Sequence, residues 1–552
     1  MTRKPQTDPI VIIGAGPVGL LLACELGTRS VPVIVVEARH EHLRHPKANT
    51  MSARSMEIYR RQGMSGTIRA QGGLPPERRT DVGYFTRLFG RELHRVPLPS
   101  SQEALATARA GDPRWPTPEP QFRTTQMTLE PVLLAKARSF PSVDIRFDTQ
   151  AITLEQDEAG VTLGLETADG TKSELRASHV VGCDGGKSFV RKALDLRFEG
   201  EGGLSMDFLG GRMLATYFEA PDLLSRFPHA DTWMHWVMQP SGRSILLVIN
   251  PARHEFLAHF QLGPDQQMAD IDFRARLAEI LGEDIPHRII SMAEWRAGMG
   301  LVSRLYGIGR CFLAGDAAHL FTPTGGFGLN TGIEDSFNLG WKLAAVHKGI
   351  ADSRLLETYH QERHPIGVRN TSYALSLAQK NGACPTSPAL DEDGAEGEKA
   401  RAATAEHLRN FARWEFDTPG VQLGARYDDS PLTIADGTTA PPDSPVEYIP
   451  SGTPGGRLPH VWVEDGVSVF DRLGSEFTLL CLGDDAEVQP WLDAARALGL
   501  DLHVTVAAAD PVYVGDAGAD ALLVRPDQHV AWRGKRAGSD PRSVLEAAIG
   551  LS

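Results

Sequence analysis

The chain has 552 residues, 41% of them hydrophobic and 23% charged, a mix that fills several cores at roughly 150 residues per domain and excludes a mainly disordered, collagen-like or coiled-coil chain. Lys and Arg number 56 against 70 Asp and Glu, a formal net charge of −14, which disfavours a nucleic acid or an acidic membrane surface as partner of the whole molecule. The five cysteines (Cys24, Cys183, Cys311, Cys384, Cys481) stand far apart with no CxxC pair, so neither a disulfide framework nor a metal–thiolate site is expected, and a cytoplasmic location is.

The apolar run Ile10–Cys24 behind Arg3 and Lys4 imitates a secretory signal, but three glycines interrupt it, Pro17 sits inside it and Glu25 ends it. It reads instead as the opening of a βαβ unit: strand Ile10–Ile13, a glycine-rich turn, helix Val18–Leu26, then strand Val33–Val36 closed by Glu37. A helix is expected near Ser52–Arg61, and residues 80–120, rich in Arg and Pro, read as irregular. Short alternating strands follow in Val143–Leu165, and Val180–Asp184 is a strand running into a turn. Residues 200–260 are predominantly β, with strands at Thr232–Met238 and Ser244–Ile249, and a charged helix is expected at 270–285. Strand Arg310–Ala314 leads into a loop with Gly315, Gly325, Gly326 and Gly328; a helix then spans Leu329–Lys348, and another spans Leu355–His364, stopped by Pro365. Residues 382–452 read as a helix and a long connection. Beyond 456 a βαβ-like rhythm resumes, with strands Phe477–Cys481, Leu502–Val506 and Ala521–Val524 and helix Val488–Leu498.

The segment Gly14-Ala-Gly-Pro-Val-Gly19 joins the first strand to the first helix. Glycine permits the tight turn, removes the Cβ that would keep a pyrophosphate off the backbone, and lets helix and sheet pack closely. The helix N-terminus adds free N–H groups and partial positive charge, and Glu37 ends the next strand, where a carboxylate accepts from ribose hydroxyls. Strand, turn, helix, strand and acid in this order point to a dinucleotide; the bland alternative is an ordinary glycine-rich turn.

Two later stretches bear on which dinucleotide: Gly182-Cys-Asp-Gly-Gly-Lys-Ser-Phe-Val-Arg191, and Gly309-Arg-Cys-Phe-Leu-Ala-Gly-Asp-Ala-Ala-His319 followed by Pro323-Thr-Gly-Gly-Phe-Gly-Leu-Asn330. With these, the chain resembles the class A flavoprotein aromatic hydroxylases over residues 8–375, most closely the phenol hydroxylase-like and aromatic-polyketide hydroxylase branch. The tail is similar to the thioredoxin-like C-terminal domain of that branch through Gly456-Arg-Leu-Pro-His460, Phe470-Asp471 and Val524-Arg-Pro-Asp527 with Ala531-Trp-Arg533, but Cys481 stands alone where a redox domain carries CxxC. The resemblance implies an α/β fold: a Rossmann-like FAD-binding domain (1–190 and 286–380), a β-rich substrate domain (191–285), a helix and linker (381–452) and a thioredoxin-like domain (453–552) with a structural or homo-oligomerising role. It also implies tight, non-covalent FAD, NADPH or NADH as a transient donor, O2 as co-substrate, and hydroxylation of a phenolic or aromatic polyketide-type substrate through a C4a-hydroperoxyflavin. No second GxGxxG is present for a separate nicotinamide domain.

The site residues implied are Gly14, Gly16, Gly19, Glu37, Ala38, Arg44, Gln126, Asp184 and Asp316 toward the cofactor. Pro323, Gly328, Leu329 and Asn330 stand where the family's loop meets flavin and substrate, with the helix N-terminus aimed at the flavin edge and the Pro323 carbonyl at the substrate. Asp316 suits a ribitol or ribose hydroxyl; as a turn aspartate it would only cap its loop. Asp184 serves FAD and nicotinamide, or is a β-turn residue. Arg191 balances a phosphate or carboxylate, or is an ordinary surface arginine. Arg44 contacts flavin or nucleotide, or is a solvated charge. Gln126 lies near FAD, or simply opens a helix. His319, beside Asp316 on the same turn, offers a general base, with a satisfied structural histidine as the favoured reading. His235 and Trp236 are substrate candidates set against core packing, with His235 on the face of Trp233 and Trp236 on the other. No Ser-His-Asp pattern, HExxH or Walker A loop is present. Within flavin chemistry, Baeyer–Villiger insertion and epoxidation remain open. A halogenase is disfavoured, since Trp233-Met-His-Trp236 is not its Trp-x-Trp-x-Ile-Pro motif. The non-enzymatic alternative is a flavin-holding scaffold or partner-binding module. No residue stands out as the base that would ionise a substrate phenol.

Overall fold

The computed structural model describes residues 5–40, 45–202, 211–227, 231–239, 242–263, 265–297, 299–516 and 518–551. Its first sheet carries strands in the order Gly307–Ile308, Cys311–Leu313, His179–Gly182, Ile10–Ile13, Val33–Val36 and Val143–Arg146, parallel throughout except at Gly307–Ile308. The first strand is buried along its whole length, as a parallel strand covered on both faces must be. Helix Pro17–Thr28 and the long helix Phe327–His347 pack together above it, with Leu20, Leu21, Leu22, Ile333, Phe337 and Leu339 in one core. A three-stranded antiparallel excursion, Thr149–Gln156, Val161–Thr167 and Lys172–Ala177, separates two of the parallel strands in sequence.

The second sheet has seven strands in the order Arg288–Ala297, Gly211–Glu219, Glu255–Gln261, Gly242–Asn250, Thr232–Gln239, Asp81–Phe85 and Glu92–Val96. It therefore draws on chain from both sides of 191–285. Residues 81–96, expected to be irregular, supply two of its strands, and Ser101–Arg109 is a helix capped by Ser100 and Glu103. Asp81-Val-Gly-Tyr-Phe85 is buried at every position, so it shows no polar alternation, and its parallel partner Thr232–Gln239 lies far along the chain. Phe273 of helix Phe273–Leu281 packs edge-on against Phe218 and Phe260 of the sheet.

Helix Arg354–Gly382 runs straight through Pro365, where the sequence predicts a stop. One lost N–H bond is outweighed by what the continued helix buries, including Ile366, Asn370, Ala374 and Leu377. Gly367 marks the contact: a Cβ there would stand 2.1 Å from the Tyr306 hydroxyl. Among the described residues no helix is long and apolar enough to cross a membrane.

The C-terminal sheet has the order Leu502–Ala507, Phe477–Leu482, Ala521–Val524, Val530–Gly534, the first pair parallel and the others antiparallel. Helices Gln489–Leu498 and Pro541–Ala548 pack together through Trp491, Ala495, Leu545 and Ala548, and Cys481 is buried in a strand of the sheet. Buried charges clamp this thioredoxin-like unit to the rest. Arg525 pairs with Glu362 and with Asp527, both at 2.6 Å, and Glu362 also holds Lys342 at 2.6 Å. Asp527 Oδ2 accepts from Asn338 and Trp341, while Arg457 pairs with Glu57 of helix Ala53–Arg61. Arg525→Ala leaves two carboxylates facing each other in the interior, so a stability loss of about 3–5 kcal/mol is expected. Urea denaturation followed by tryptophan fluorescence measures it; a loss within error of zero would show that the clamp contributes nothing.

Candidate active site

Neighbouring parallel strands end on one edge of the first sheet, and each runs into a segment singled out by the sequence. Cys311–Leu313 leads to Ala314-Gly315-Asp316, His179–Gly182 to Cys183-Asp184, Ile10–Ile13 to Gly14–Gly19, and Val33–Val36 to Glu37. Ligands of open parallel sheets bind outside this carboxyl edge. Pairing of the strands thus gathers stretches that are distant in sequence.

The glycines of the turn do different work. Gly14 has φ +110°, and a Cβ there would lie 2.4 Å from the Cys183 carbonyl oxygen; one on Gly19 would lie 2.0 Å from the Gly14 carbonyl oxygen. Both are needed for packing. A Cβ on Gly16 would meet nothing within 4 Å. The space before Gly16 is open at the start of helix Pro17–Thr28, whose first N–H groups lack helical partners. This is the cradle a pyrophosphate requires.

Glu37 is buried at the neighbouring strand end. It accepts from the Ala15 N–H at 2.8 Å and from the Arg39 N–H and Nε at 2.9 Å. Burial opposes its ionisation, but the bonds from Arg39 and Ala15 outweigh it and hold the carboxyl below its usual range. Arg39, which no sequence motif marks, also reaches toward buried Glu130 at 4.0 Å, and Gln126 donates to Glu130 at 2.7 Å. Gln126 thereby belongs to the network behind Glu37. Ala38 is exposed, and Arg44 lies outside the described residues.

Asp184 Oδ2 accepts from the N–H groups of Phe189 (2.7 Å) and Val190 (3.2 Å), capping helix Phe189–Ala193. Its Oδ1 is buried without a hydrogen bond among the described residues, and burial raises the carboxyl. An orphaned acceptor at this edge suits a ligand hydroxyl. Asp316 is open to solvent in the turn Gly315–Ala317, and its carboxylate makes no hydrogen bond among the described residues. The surrounding protein raises its carboxyl, against His319 and Lys47. Arg191 is buried rather than a surface arginine: it feels the charge of the Asp184 carboxylate, and its guanidinium donates to the carbonyls of Ala317 (3.1 Å) and Gly186 (2.9 Å) and brackets the two loops together.

Asp335, fully buried, holds the Asp316 turn from beneath. It accepts from the Gly315 N–H at 3.2 Å, His319 Nε2 at 2.7 Å and Arg363 Nε at 2.9 Å. His319 is thus a structural residue. Helix Phe327–His347 starts behind Gly325 (φ +82°) and Gly326 (φ +67°), conformations that other residues adopt only under strain. Asn330 uses its full side-chain capacity. Oδ1 accepts from the Ser52 N–H (2.8 Å) and Ser55 Oγ (2.7 Å), and Nδ2 donates to the carbonyls of Thr50 (3.0 Å) and Gly326 (2.7 Å). Its side chain joins two walls and has nothing left for a ligand. What the helix start offers is the free N–H groups of Phe327, Gly328 and Leu329.

The Pro323–Gly326 loop also walls a cavity of about 90 Å³ against the seven-stranded sheet, lined by Met234, Trp236, Trp295, Arg123 and Glu415 among others. Gln121 and Phe416 line both this cavity and a neighbouring chamber of about 560 Å³. Trp236 faces the cavity, stacked on Tyr84 with centroids 5.8 Å apart. His235 does not line it; its ring packs against Phe227 at 4.4 Å and Phe85 at 5.7 Å. Trp233 lies under the Arg123 guanidinium at 4.6 Å rather than in the layer of His235, because the register shifts between Thr232 and Met234 and the alternation breaks. Arg123 and Glu415 went unnoticed in the sequence. Each is a single charge in a stretch without a motif, and only its burial marks it.

Residues 7–374 match the family described as the FAD binding domain, and residues 451–551 match the aromatic-ring hydroxylase C-terminal family. The chain belongs to the FAD-binding aromatic-ring hydroxylases. Among relatives, the 2,4-dichlorophenol 6-monooxygenase of Delftia acidovorans is 29% identical, covering 99% of this chain and 98% of its own length. The aklavinone 12-hydroxylase RdmE of Streptomyces purpurascens is 30% identical, covering 98% of each chain. Among solved structures, the rebeccamycin biosynthetic enzyme RebC with reduced flavin superposes with TM-score 0.86 at 30% identity, covering 99% of this chain and 100% of that one. The flavin-dependent monooxygenase PieE with FAD and substrate gives TM-score 0.86 at 28% identity, with 99% of each covered. The hydroxylase is therefore a flavoprotein monooxygenase of α/β fold, and the open cradle at Gly16, the orphaned Asp184 Oδ1 and the unbonded Asp316 carboxylate fit the FAD its family binds.

Two variants test that fit. Gly16→Val fills open space, so the hydroxylase is expected to keep its folded circular-dichroism spectrum yet purify with most of its flavin lost. Asp316→Ala is expected to weaken flavin retention severely. Absorbance of flavin released on denaturation gives the content; full occupancy in either variant removes the role assigned to that residue.

Proposed function

We propose that the enzyme consumes NAD(P)H and O2 to hydroxylate a phenolic or aromatic polyketide-type substrate seated in the cavity behind Pro323–Gly326. The observation that carries this reading is the double use of one loop: it leads into the helix start on one side and walls an aromatic, largely buried cavity on the other. FAD, when bound, supplies the redox chemistry by which two electrons from the nicotinamide reach O2. Gly14–Gly19, Glu37, Asp184 and Asp316 hold the cofactor, tightly and without a covalent bond. The N–H groups of Phe327, Gly328 and Leu329 would favour negative charge on the cofactor at the helix start. Trp236, Met234 and Trp295 orient an aromatic ring and keep water from it. With a single GxGxxG in the chain, the donor visits transiently over a surface shared with FAD. Substrate, NAD(P)H, a proton and O2 give hydroxylated product, NAD(P)+ and water. The names of the relatives, hydroxylases and monooxygenases of a chlorophenol and of aklavinone, favour ring hydroxylation over Baeyer–Villiger insertion.

A panel of phenols and quinonoid polyketides, assayed for stimulated NAD(P)H oxidation under oxygen-18 gas, tests the reading. The expected product is a new ring hydroxyl carrying one labelled atom. A labelled ester or epoxide would reassign the reaction, and the absence of any stimulated oxidation would favour a flavin-holding scaffold.

A further inference from the structure

The cavity holds two ionisable side chains that nothing above employs. Glu415, in the short helix Arg413–Phe416, is 6% exposed. Its carboxylate accepts from Asn381 Nδ2 at 3.1 Å and from the backbone N–H of Gly325. Arg123 is 7% exposed. One terminal nitrogen donates to the Thr50 hydroxyl, while the other is buried with no hydrogen bond among the described residues. The two charges feel each other without forming an ion pair or a hydrogen bond. A buried arginine nitrogen without an acceptor is costly, and its neighbouring carboxylate does not relieve it. Both side chains line the cavity proposed for the substrate.

We propose that Glu415 is the proton acceptor for a hydroxyl on the substrate's aromatic ring and that Arg123 pairs with the resulting anionic oxygen, so that the site selects rings bearing an acidic hydroxyl. This rests on the cavity being the substrate site of the monooxygenase. The substrate O–H bond breaks, its electron pair stays on oxygen and spreads into the ring, and the proton forms an O–H bond on Glu415. No net charge enters the cavity: an anionic carboxylate and a neutral phenol become a neutral carboxyl and a phenolate beside Arg123. The transfer converts two separated buried charges into a contact pair and enriches the ring in electrons for electrophilic oxygen. Rearomatisation then releases the ring proton, which enters the water formed, and the product oxygen recovers its proton from Glu415.

The surroundings place this titration in a useful range. Burial raises Glu415 to about 7, against the bonds from Asn381 and Gly325 and the field of Arg123. Burial lowers Arg123 to about 10, with Glu415 opposing, so it stays charged at neutral pH. The other titratable groups near Glu415 do not compete. Tyr84 is raised well above its usual value and Tyr373 to about 12, both chiefly by burial, and burial lowers cavity-lining His259 to about 4. Above about pH 7 Glu415 is therefore the ionised acceptor beside the charged Arg123, with Tyr84, Tyr373 and His259 neutral.

The test uses the FAD-loaded enzyme with 4-nitrophenol as probe, whose anion absorbs at longer wavelength than its neutral form. In the wild type, bound probe is expected to ionise at a pH lower than free probe by about one unit or more. In Glu415→Gln, whose amide oxygen can still accept from Asn381 and Gly325, that shift is expected to shrink by about tenfold in proton affinity. The rise of kcat/KM with pH through about 7 is expected to disappear as well. Arg123→Gln is expected to weaken probe binding about tenfold, with Arg123→Lys restoring part of it. Unchanged probe ionisation and an unchanged pH profile in Glu415→Gln would overturn the proposal and leave Glu415 as a brace for the Gly325 loop. The wild-type titration decides independently of how any variant folds: probe bound in its neutral form overturns the proton acceptor but not the monooxygenase. Failure of every phenol to bind or to stimulate NAD(P)H oxidation overturns both.

Discussion

The carboxylate of Asp335 lies wholly inside the protein and is held by Arg363 of one helix and by His319 and the Gly315 N–H of one turn, two separate stretches of chain. Burial alone would keep it protonated; His319 and Arg363 outweigh that and hold it below the usual carboxylate range. Because it stays charged, it can fix a backbone N–H of the Asp316 turn, and that turn ends one of the strands framing the ligand edge. Arg363 in turn is fully buried and also donates to Glu334, Tyr427 and the Thr331 carbonyl. Removing one member would strand the others as unpaired buried charges, the situation proteins tolerate least. The site's geometry is thus anchored below its surface, by groups no ligand would touch.

The same helix carries the other attachments. From Phe327–His347, Asn330 reaches Thr50, Ser52 and Ser55, Asp335 reaches Gly315 and His319, and Asn338, Trp341 and Lys342 reach Asp527 and Glu362. One rigid element therefore ties the cradle, the cavity wall and the C-terminal unit together. That explains how a thioredoxin-like unit with a single buried Cys481 belongs to this enzyme. It offers no redox pair; it presents Arg525, Asp527 and Gln528 to the helices that shape the site.

Much of the first unit was legible in the sequence because its signals are local. A buried strand, a glycine turn, a helix and a terminal acid follow one another within a short stretch, and Gly14 and Gly19 are required by backbone contacts that no other residue permits. The long helix and the C-terminal strands were legible for the same reason. Other local signals misled. Pro365 reads as a helix stop, yet the tertiary contacts of Gly367, Asn370 and Ala374 carry the helix through it. The strand Asp81–Phe85 is buried on both faces and pairs with residues far away, so nothing nearby announces it. His235 and Trp236 could not be told apart as ligands, since the bulge at Trp233 that sets their faces is a property of the sheet.

Residue types read along the chain suffice for the cofactor-binding scaffold: the cradle, the acid after the second strand, the Asp184 and Asp316 turns and the family they identify. These depend on backbone conformation and close approach, which residue type dictates directly. Folding settles which side chains face the cavity, that Asn330 and Arg191 brace loops, and that Arg123 and Glu415 share one enclosed space. A charge acquires that kind of chemistry from what surrounds it. Desolvation and the absence of a partner arise only when distant stretches of chain close around it.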